Sequence, residues 1–288
     1  MSNQVRLPGP FGLCMTGTDI GRLSPSALRG MADSLFSHRI LVLPGQELTS
    51  DDYVRFGRLW GDPVLLIDQK SRLGSHPEII VQSNATRVAP AIRNVAAHWH
   101  CDSSYEEIPA TITMLYGEKA PLLGGETLFC DLVGAYEALP LDLRDRIDGL
   151  SLRHAVGAAR AADDEYLIPF DTVPQEVRKG VTIPDPVVHP LVRTHPVTGR
   201  KGLYGLGGTP FAVVGMAEQE GAALIADLKR HATQPRFVQS YKLMPNDILI
   251  WDNFSVMHRA TMIKYSDEPA EARLNYRISL KGLPKFLS

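Results

Sequence analysis

The first part of the chain combines helical and extended patterns of apolar residues. Ser24 is a suitable N-cap for a helix that reaches about Ser37. The apolar run 39–43, which ends at a Pro-Gly pair, predicts a short strand. Ser50 is the expected N-cap of a second helix that ends near Trp60. This part is therefore predicted as helix, strand, helix.

From about residue 78 the pattern changes to short β-rich runs separated by Gly and Pro. The runs are 78–82, 110–116, 126–129, 203–204, 237–243, 247–251 and 274–280. Such spacing favours a β-sandwich or barrel over a doubly wound α/β sheet. Two helical stretches interrupt it, 132–150, with a break at Pro140, and 217–233. The fold class predicted is mainly β with flanking helices.

No internal repeat and no low-complexity linker divides the sequence. A chain of 288 residues suits one large domain, so we expect a single domain over residues 1–288. The segment at about 157–187 is rich in Ala, Asp, Pro and Gly. A long segment of this composition predicts a loop or lid-like insert.

Charge and composition exclude several classes of partner. The formal net charge is −2 and the pI is about 6.5, which does not favour binding to nucleic acid. No apolar stretch approaches the roughly 18 residues of a membrane span, and no signal-peptide pattern opens the chain. Cys14, Cys101 and Cys130 form no paired motif. These observations predict a soluble, cytoplasmic protein with no membrane partner.

His98, His100 and Asp102 occupy alternate positions of one short segment. Alternate residues of an extended chain point to the same face. Two ligand pairs are therefore open for a metal ion, His98 with His100 and His100 with Asp102. A His-x-Asp pattern is common by chance, so a metal site needs a third ligand from elsewhere in the chain.

His258 is the candidate for that third ligand. It follows a turn at 245–247 and an apolar run that ends in Trp251-Asp252-Asn253. Two histidines and one carboxylate form a facial triad, which leaves coordination positions open as non-haem Fe(II) oxygenases require. Structural zinc would need four protein ligands, usually with cysteine. Cys101 lies between two candidate ligands, so an extended chain directs its side chain away from them.

Arg273 and Arg277 are four residues apart in the last β-rich run, so their side chains share one face. Two guanidinium groups on one face of a barrel strand are poor core residues unless anions pair with them. A small dicarboxylate would satisfy one of them through bidentate hydrogen bonds. A solvated edge strand is the alternative interpretation.

The order of these motifs resembles the taurine dioxygenase and aryloxyalkanoate dioxygenase family. The family pattern W-H-x-D is similar to 99–102, and its G-G-[DE]-T is similar to 124–127, where Thr127 lies 27 residues after His100. Further similar segments follow in the family order: 135–140, 189–196, 199–204, 251–258 and 273–277. The resemblance extends over about residues 10–282.

The resemblance implies a double-stranded β-helix core, also called a jelly-roll or cupin-like core. It implies a dioxygenase that uses Fe(II), 2-oxoglutarate and O₂ to oxidise a C–H bond of a small, anionic organic substrate, with release of succinate and CO₂. Three residues would hold the iron: His100, Asp102 and His258. Thr127 and Arg273 would bind the distal carboxylate of 2-oxoglutarate. Arg277 would contact either the chelating carboxylate or the substrate, and the protein would form a homo-oligomer.

Three segments depart from the family pattern. Arg273 follows His258 by fifteen residues, a longer spacing that results from the polar loop 266–271. The apolar segment 63–67 stands where the taurine enzyme has polar residues, and 205–208 is unusually rich in glycine. The last two changes predict a substrate that is larger or more apolar than taurine.

Three other functions use some of the same residues. A metal-dependent hydrolase or isomerase could use the triad, but it gives no role to Thr127 or the two arginines. A non-catalytic binding domain on the same barrel would be expected to lack a ligand, and all three are present. A dinucleotide-binding loop at 205–208 would need a strand before it and a helix after it, which the pattern does not predict.

Overall fold

The computed structural model describes residues 3–65, 71–88, 94–157 and 183–287. Most of the lid-like insert predicted at about 157–187 lies outside the described residues, so that prediction stands as made. The strands are β1 (Asn3–Arg6), β2 (Leu13–Thr16), β3 (Ile40–Leu43), β4 (Asp62–Pro63), β5 (Arg72–Leu73), β6 (His76–Ser83), β7 (Ile112–Lys119), β8 (Thr127–Asp131), β9 (Ser151–His154), β10 (Val187–Pro190), β11 (Val192–Thr194), β12 (Lys201–Leu203), β13 (Pro210–Val213), β14 (Val238–Tyr241), β15 (Ile248–Asp252), β16 (Val256–Ala260) and β17 (Leu274–Lys281). The α-helices are α1 (Pro25–His38), α2 (Ser50–Trp60), α3 (Leu132–Glu137), α4 (Leu141–Ile147) and α5 (Glu218–Ala232).

The helices begin and end close to their predicted positions. Ser24 caps α1 by accepting a hydrogen bond from the backbone N–H of Ala27. The predicted cap of α2 was wrong by one residue, because Ser50 is already helical and Thr49 is the N-cap. Thr49 and Asp52 form a reciprocal capping box, which satisfies two backbone donors at once. The break predicted at Pro140 is present, since this residue separates α3 from α4.

The largest sheet has nine strands in the order β1-β2-β3-β15-β7-β17-β6-β5, with β4 also paired to β17. All of its pairs are antiparallel except β2 with β3. Helices α1 and α2 cover its outer face, and their buried residues join Ile248 and Ile250 of β15 in one core cluster. The inner face holds the alternate residues, such as Leu249 and Trp251.

A three-stranded antiparallel sheet, β14-β8-β16, faces the large sheet. A core cluster joins the two sheets, with Val42, Leu115 and Trp251 from the large sheet and Phe129 and Val256 from the small one. Two smaller sheets, β10-β9-β13 and β11-β12, lie beside this sandwich. The predicted fold class, mainly β with flanking helices, is confirmed, and two facing sheets are consistent with a jelly-roll core. No described helix is long and apolar enough to cross a membrane.

Candidate active site

Three side chains from two distant segments meet between the sheets. His100, Asp102 and His258 offer ligand atoms that all lie within 4.8 Å of one another. The Asp102 Oδ1 atom lies 3.8 Å from Nε2 of His100 and 3.6 Å from Nε2 of His258. Asp102 and His258 are buried, and His100 is partly buried. Among the described residues, this is the one group of His, Cys, Asp and Glu side chains with metal-ligand spacing.

The backbone brings the two histidines together. His100 and His258 form an isolated antiparallel bridge, in which each N–H donates to the other residue's carbonyl at 2.9 Å. Side chains that face each other across such a pair lie on the same side of the sheet. The imidazole centroids are accordingly 4.3 Å apart. Asp102, two residues after His100, points to the same side, as the extended-chain argument predicted.

Both imidazoles are held in the neutral form that binds metals. Burial, together with the neighbouring His258, lowers the pKa of His100 to about 4. Burial likewise lowers the pKa of His258 to about 4. Nδ1 of His100 lies 2.9 Å from the carbonyl of His98. Because a carbonyl can only accept, Nδ1 carries the proton and the Nε2 lone pair faces the ligand cluster.

Asp102 is held in its ionised form. Burial alone would raise its pKa, but the Arg277 guanidinium and the two imidazoles lower it to about 2. Arg277 Nη2 donates to Oδ1 at 2.6 Å. The hydroxyl of Thr113 donates to the other oxygen, Oδ2, at 2.7 Å. Each carboxylate oxygen therefore has its own partner, and Oδ1 is the one that faces the histidines.

The Trp251-Asp252-Asn253 motif supports this carboxylate from behind. The indole N–H of Trp251 donates to Oδ1 of Asn253 at 3.1 Å, which fixes the orientation of the amide. Nδ2 of Asn253 then donates to the Thr113 hydroxyl at 3.0 Å. Since Thr113 accepts there, its own proton is available for Asp102. Thr113 was not predicted from the sequence, although a polar residue on the inward face of an apolar strand is a usable signal.

Asp252 has a separate, structural role. Its Oδ2 lies 3.2 Å from Nε2 of His195, and both side chains are buried. Nδ1 of His195 accepts hydrogen bonds from the backbone N–H groups of Val197 and Thr198. Nε2 of that imidazole therefore carries the proton that faces Asp252. This contact joins the segments around 195 and 252 outside the ligand cluster.

The two predicted arginines differ in their surroundings. Arg277 lies beside the ligand cluster, with the bond to Asp102 described above and a second contact from Nε to the Ser279 hydroxyl at 3.1 Å. Arg273 precedes β17 and is partly buried, and burial lowers the pKa of its guanidinium. No carboxylate of the residues described here forms an ion pair with Arg273. Within the part of the chain that the structure describes, it is a partly buried cation without an anionic partner.

Thr127 lies on the inner face of the small sheet. It is buried on β8, where it faces Ala260 of β16. Phe129, two residues later on the same strand, faces His258 in the same way. Alternation along the strand therefore directs Thr127 to the face that carries His258. Its contact with a cosubstrate remains a prediction.

The remaining candidates near the cluster lie outside the three-ligand group. The ring of His98 is 5.1 Å from that of His100, but its nitrogens are not part of the cluster. The side chain of Cys101 points away, as predicted, into the core cluster that contains Leu206, and burial raises the pKa of its thiol to about 12. Of the two pairs left open by the sequence, the structure brings His100 and Asp102 together with His258.

Two neutral imidazoles and one ionised carboxylate between two β-sheets are the donor set that defines the non-haem metal oxygenases with a facial triad. The comparisons with known proteins agree with this class. The family model described as "Taurine catabolism dioxygenase TauD, TfdA family" matches residues 6–278. The chain belongs to this family of 2-oxoglutarate-dependent dioxygenases, as its motifs predicted.

Individual relatives extend over most of the chain. The α-ketoglutarate-dependent 2,4-dichlorophenoxyacetate dioxygenase of Burkholderia sp. (strain RASC) is 33% identical over 251 residues, 83% of this chain and 82% of the relative. The (S)-phenoxypropionate/α-ketoglutarate dioxygenase of Sphingobium herbicidovorans is 29% identical and matches 88% of each chain. The crystal structure of AAD-2 in complex with Mn(II) and N-oxalylglycine has a TM-score of 0.77 at 28% identity and matches 98% of each chain.

Proposed function

We propose that this chain holds Fe(II) through His100, Asp102 and His258 and uses it with 2-oxoglutarate and O₂ to oxidise a C–H bond of a small anionic substrate. The observation that carries the proposal is the meeting of three ligand atoms within 4.8 Å. Two imidazoles kept neutral and a carboxylate kept ionised are the protonation states that a divalent metal requires. The set has three ligands rather than four, which favours an oxygenase over structural zinc.

Arg273 and Thr127 are the proposed binding groups for the distal carboxylate of 2-oxoglutarate. Electrostatics supports Arg273, because burial of a guanidinium that has no carboxylate partner among the described residues is unfavourable until an anion is bound. Thr127 lies on the inner face of the opposite sheet and offers a hydroxyl. A dicarboxylate with one end at the metal and the other at Arg273 would use both.

Arg277 has a different proposed role, since one of its nitrogens is already bonded to Asp102 at 2.6 Å. It keeps the ligand carboxylate ionised and orients Oδ1. Its Nη1 group has no hydrogen-bond partner among the described residues and is available to an incoming anion, either the chelating carboxylate or the substrate. The 2,4-dichlorophenoxyacetate and phenoxypropionate dioxygenases named above act on aryloxyalkanoates, which are anionic, and a carboxylate of that kind fits the same guanidinium.

The protein residues bind, orient and exclude water in this reaction. Bound Fe(II) would supply the activation of O₂ that couples decarboxylation of 2-oxoglutarate, to succinate and CO₂, with oxidation of the substrate. His100 and His258 provide nitrogen lone pairs, and Thr113 prevents Asp102 from rotating between its two oxygens. Trp251, which packs 4.7 Å from the ring of His258, keeps solvent away from that side.

We further propose that the chain works as a single domain in the cytoplasm, as a homo-oligomer with small-molecule substrates and without nucleic-acid or membrane partners. The near-neutral net charge of −2 supports the absence of a polyanionic partner. Cys101 and Cys130 are buried free thiols and Cys14 is partly buried, as suits a reducing compartment.

The test is succinate formation by anaerobically reconstituted Fe(II) protein after addition of air-saturated buffer and 2-oxoglutarate. The panel contains aryloxyalkanoates, sulfonates, alkyl sulfates, and acyl or aromatic amino acids. We expect one class to stimulate succinate release, and His258→Ala to reduce it to background. Absence of succinate from iron-loaded wild-type protein, with turnover of a hydrolysable substrate instead, would support a hydrolase and contradict the proposal.

A further inference from the structure

Arg273 stands at the junction between the polar loop 266–271 and β17. Among the described residues its guanidinium makes one hydrogen bond. When the Asn275 amide is oriented so that its nitrogen donates to the Leu274 carbonyl, Nε of Arg273 donates to the amide oxygen at 3.1 Å. Its aliphatic part passes Gly125, where an added Cβ would lie 3.8 Å from Cδ. Nε is therefore occupied, and the Nη1 and Nη2 edge is the part that can meet a carboxylate. The position of that edge depends on where the backbone of Arg273 is held.

Asn84, at the end of β6, holds that backbone. Its Oδ1 accepts from the N–H of Arg273 at 2.7 Å. Its Nδ2 donates to the carbonyls of Lys264 and Glu271, at 2.9 and 2.8 Å, on either side of the loop. Its backbone carbonyl accepts from Ser266 at 2.9 Å, and its N–H donates to Arg273 at 3.3 Å. Asn84 is 2% exposed, so the side chain that makes three of these bonds is itself buried.

The loop has a second attachment on its other side. The N–H of Leu122, in the connection between β7 and β8, donates to the carbonyl of Ala270 at 3.1 Å. The same connection contains Gly125, which lies against Arg273. The loop 266–271, which lengthens the spacing between His258 and Arg273, is thus held from two sides. Asn84, after β6, binds it on one side, and Leu122, after β7, binds it on the other.

We infer that Asn84 is a positioning residue for the cosubstrate, acting through Arg273, and that the loop 266–271 serves this purpose. This inference rests on the proposed role of Arg273. Loss of the Asn84 side chain removes the hydrogen-bond partner of one part-buried N–H and two part-buried carbonyls, so we expect the loop to move to regain hydrogen bonds. A displacement of about 1 Å at a bidentate guanidinium is enough to cost one to two orders of magnitude in an oriented interaction.

The measurement compares two 2-oxo acids on Mn(II)-loaded protein by calorimetry. 2-Oxoglutarate carries the distal carboxylate, and 2-oxobutyrate has the same chelating end without it. For Asn84→Ala we expect the dissociation constant of 2-oxoglutarate to rise about tenfold, while those of 2-oxobutyrate and Mn(II) change less than about twofold. A merely structural role would weaken both 2-oxo acids alike, because general damage to the site does not distinguish their distal ends.

Two further variants make the result decisive. Lys264→Ala removes an exposed ion pair with Glu271 across the same loop and leaves every backbone contact of Asn84, so we expect unchanged affinities. Arg273→Ala should remove the preference for 2-oxoglutarate. If Arg273→Ala does so and Asn84→Ala does not, the inference is wrong and the proposed function stands. If neither does, the proposed role of Arg273 is wrong as well. Asn84→Ser, which keeps one hydroxyl, replaces the alanine variant if that variant does not fold.

Discussion

The Asp102 carboxylate has two chemically equivalent oxygens, and the hydroxyl of Thr113 makes them different. It donates to Oδ2 at 2.7 Å. Trp251 orients the Asn253 amide, and the amide nitrogen donates to the same hydroxyl, so the proton of Thr113 is directed to Oδ2. Oδ1 is left to face the histidines. Partners of this kind orient a ligand before the metal arrives, and so contribute to affinity without touching the metal.

Thr113→Val removes this donor with almost no change of shape. We expect metal affinity to fall by about ten- to a hundredfold, the usual effect of losing such a partner. The dissociation constant of Mn(II), measured by the EPR signal of free Mn(II), reports it. Thr113→Ser should restore most of the affinity. Thr111→Val, which removes a bond to a backbone carbonyl on the same sheet, serves as the matched control and should leave the affinity unchanged.

Single residues of the site could be predicted where local geometry decides. The alternation of His100 and Asp102, together with the family motifs, predicted the cluster that the structure brings together. Thr113 and Asn84 could not be predicted in the same way, because their partners lie 11 and up to 189 residues away. No local pattern specifies which hydroxyl or amide a folded chain will bring to a ligand.

At the scale of elements, the glycine-rich segment 205–208 lies directly on the segment that carries His100. A Cβ at Gly207 would stand 2.2 Å from the carbonyl oxygen of Trp99, and one at Gly208 would stand 3.2 Å from Cβ of His100. From the sequence, these glycines predict a substrate that is larger or more apolar than taurine. The structure adds a packing reason, since only glycine allows the two backbones to approach so closely.

Gly207→Ala should therefore displace one of these segments. We expect a loss of about 2–4 kcal/mol in the free energy of unfolding, together with weaker Mn(II) binding, because backbone atoms cannot yield as a flexible side chain does. Urea unfolding and calorimetry measure the two effects. Gly149→Ala is the control, since an added Cβ there meets no atom within 4 Å. Equal stability of the two variants would contradict the packing argument.

The positions of some strands were predicted, such as β3, β7 and β15, but β16, which carries His258, was not predicted, and neither was the pairing of the strands. The β-rich runs and the proline between α3 and α4 specify local conformation. The order β3-β15-β7-β17 joins strands that are far apart in sequence, and it depends on which apolar faces pack best after collapse. The error in the predicted N-cap of α2 has a local cause. Thr49 forms a capping box with Asp52, whereas Ser50 is followed three residues later by Tyr53, which cannot complete one.

Considered as a whole, the molecule buries several imidazoles in neutral form. Burial lowers the pKa of His154 to about 3, and the values for His100 and His258 are about 4. An unfolded histidine titrates near 6.5. Between these values the unfolded chain binds more protons than the folded one, so the free energy of unfolding falls as the pH falls.

The metal-free protein should therefore lose stability between pH 6.5 and 4. Each buried imidazole contributes at most about 2 kcal/mol of this loss between pH 6.5 and 5. His154→Asn should reduce the slope, because one of the three groups no longer titrates. Urea unfolding at constant ionic strength across this range measures both proteins. Parallel curves for the variant and the wild type would show that His154 has the same pKa in the folded and the unfolded chain, which contradicts the prediction.

The bridge between His100 and His258 has a consequence for how a bound metal leaves. Each residue's N–H is hydrogen-bonded to the other's carbonyl at 2.9 Å, so neither imidazole can swing away on a freely moving strand. A fluctuation that separates the two segments breaks both bonds and removes two ligands in one event. We therefore expect a bound ion to be retained until the two segments separate, so that its lifetime would follow the opening rate of the backbone.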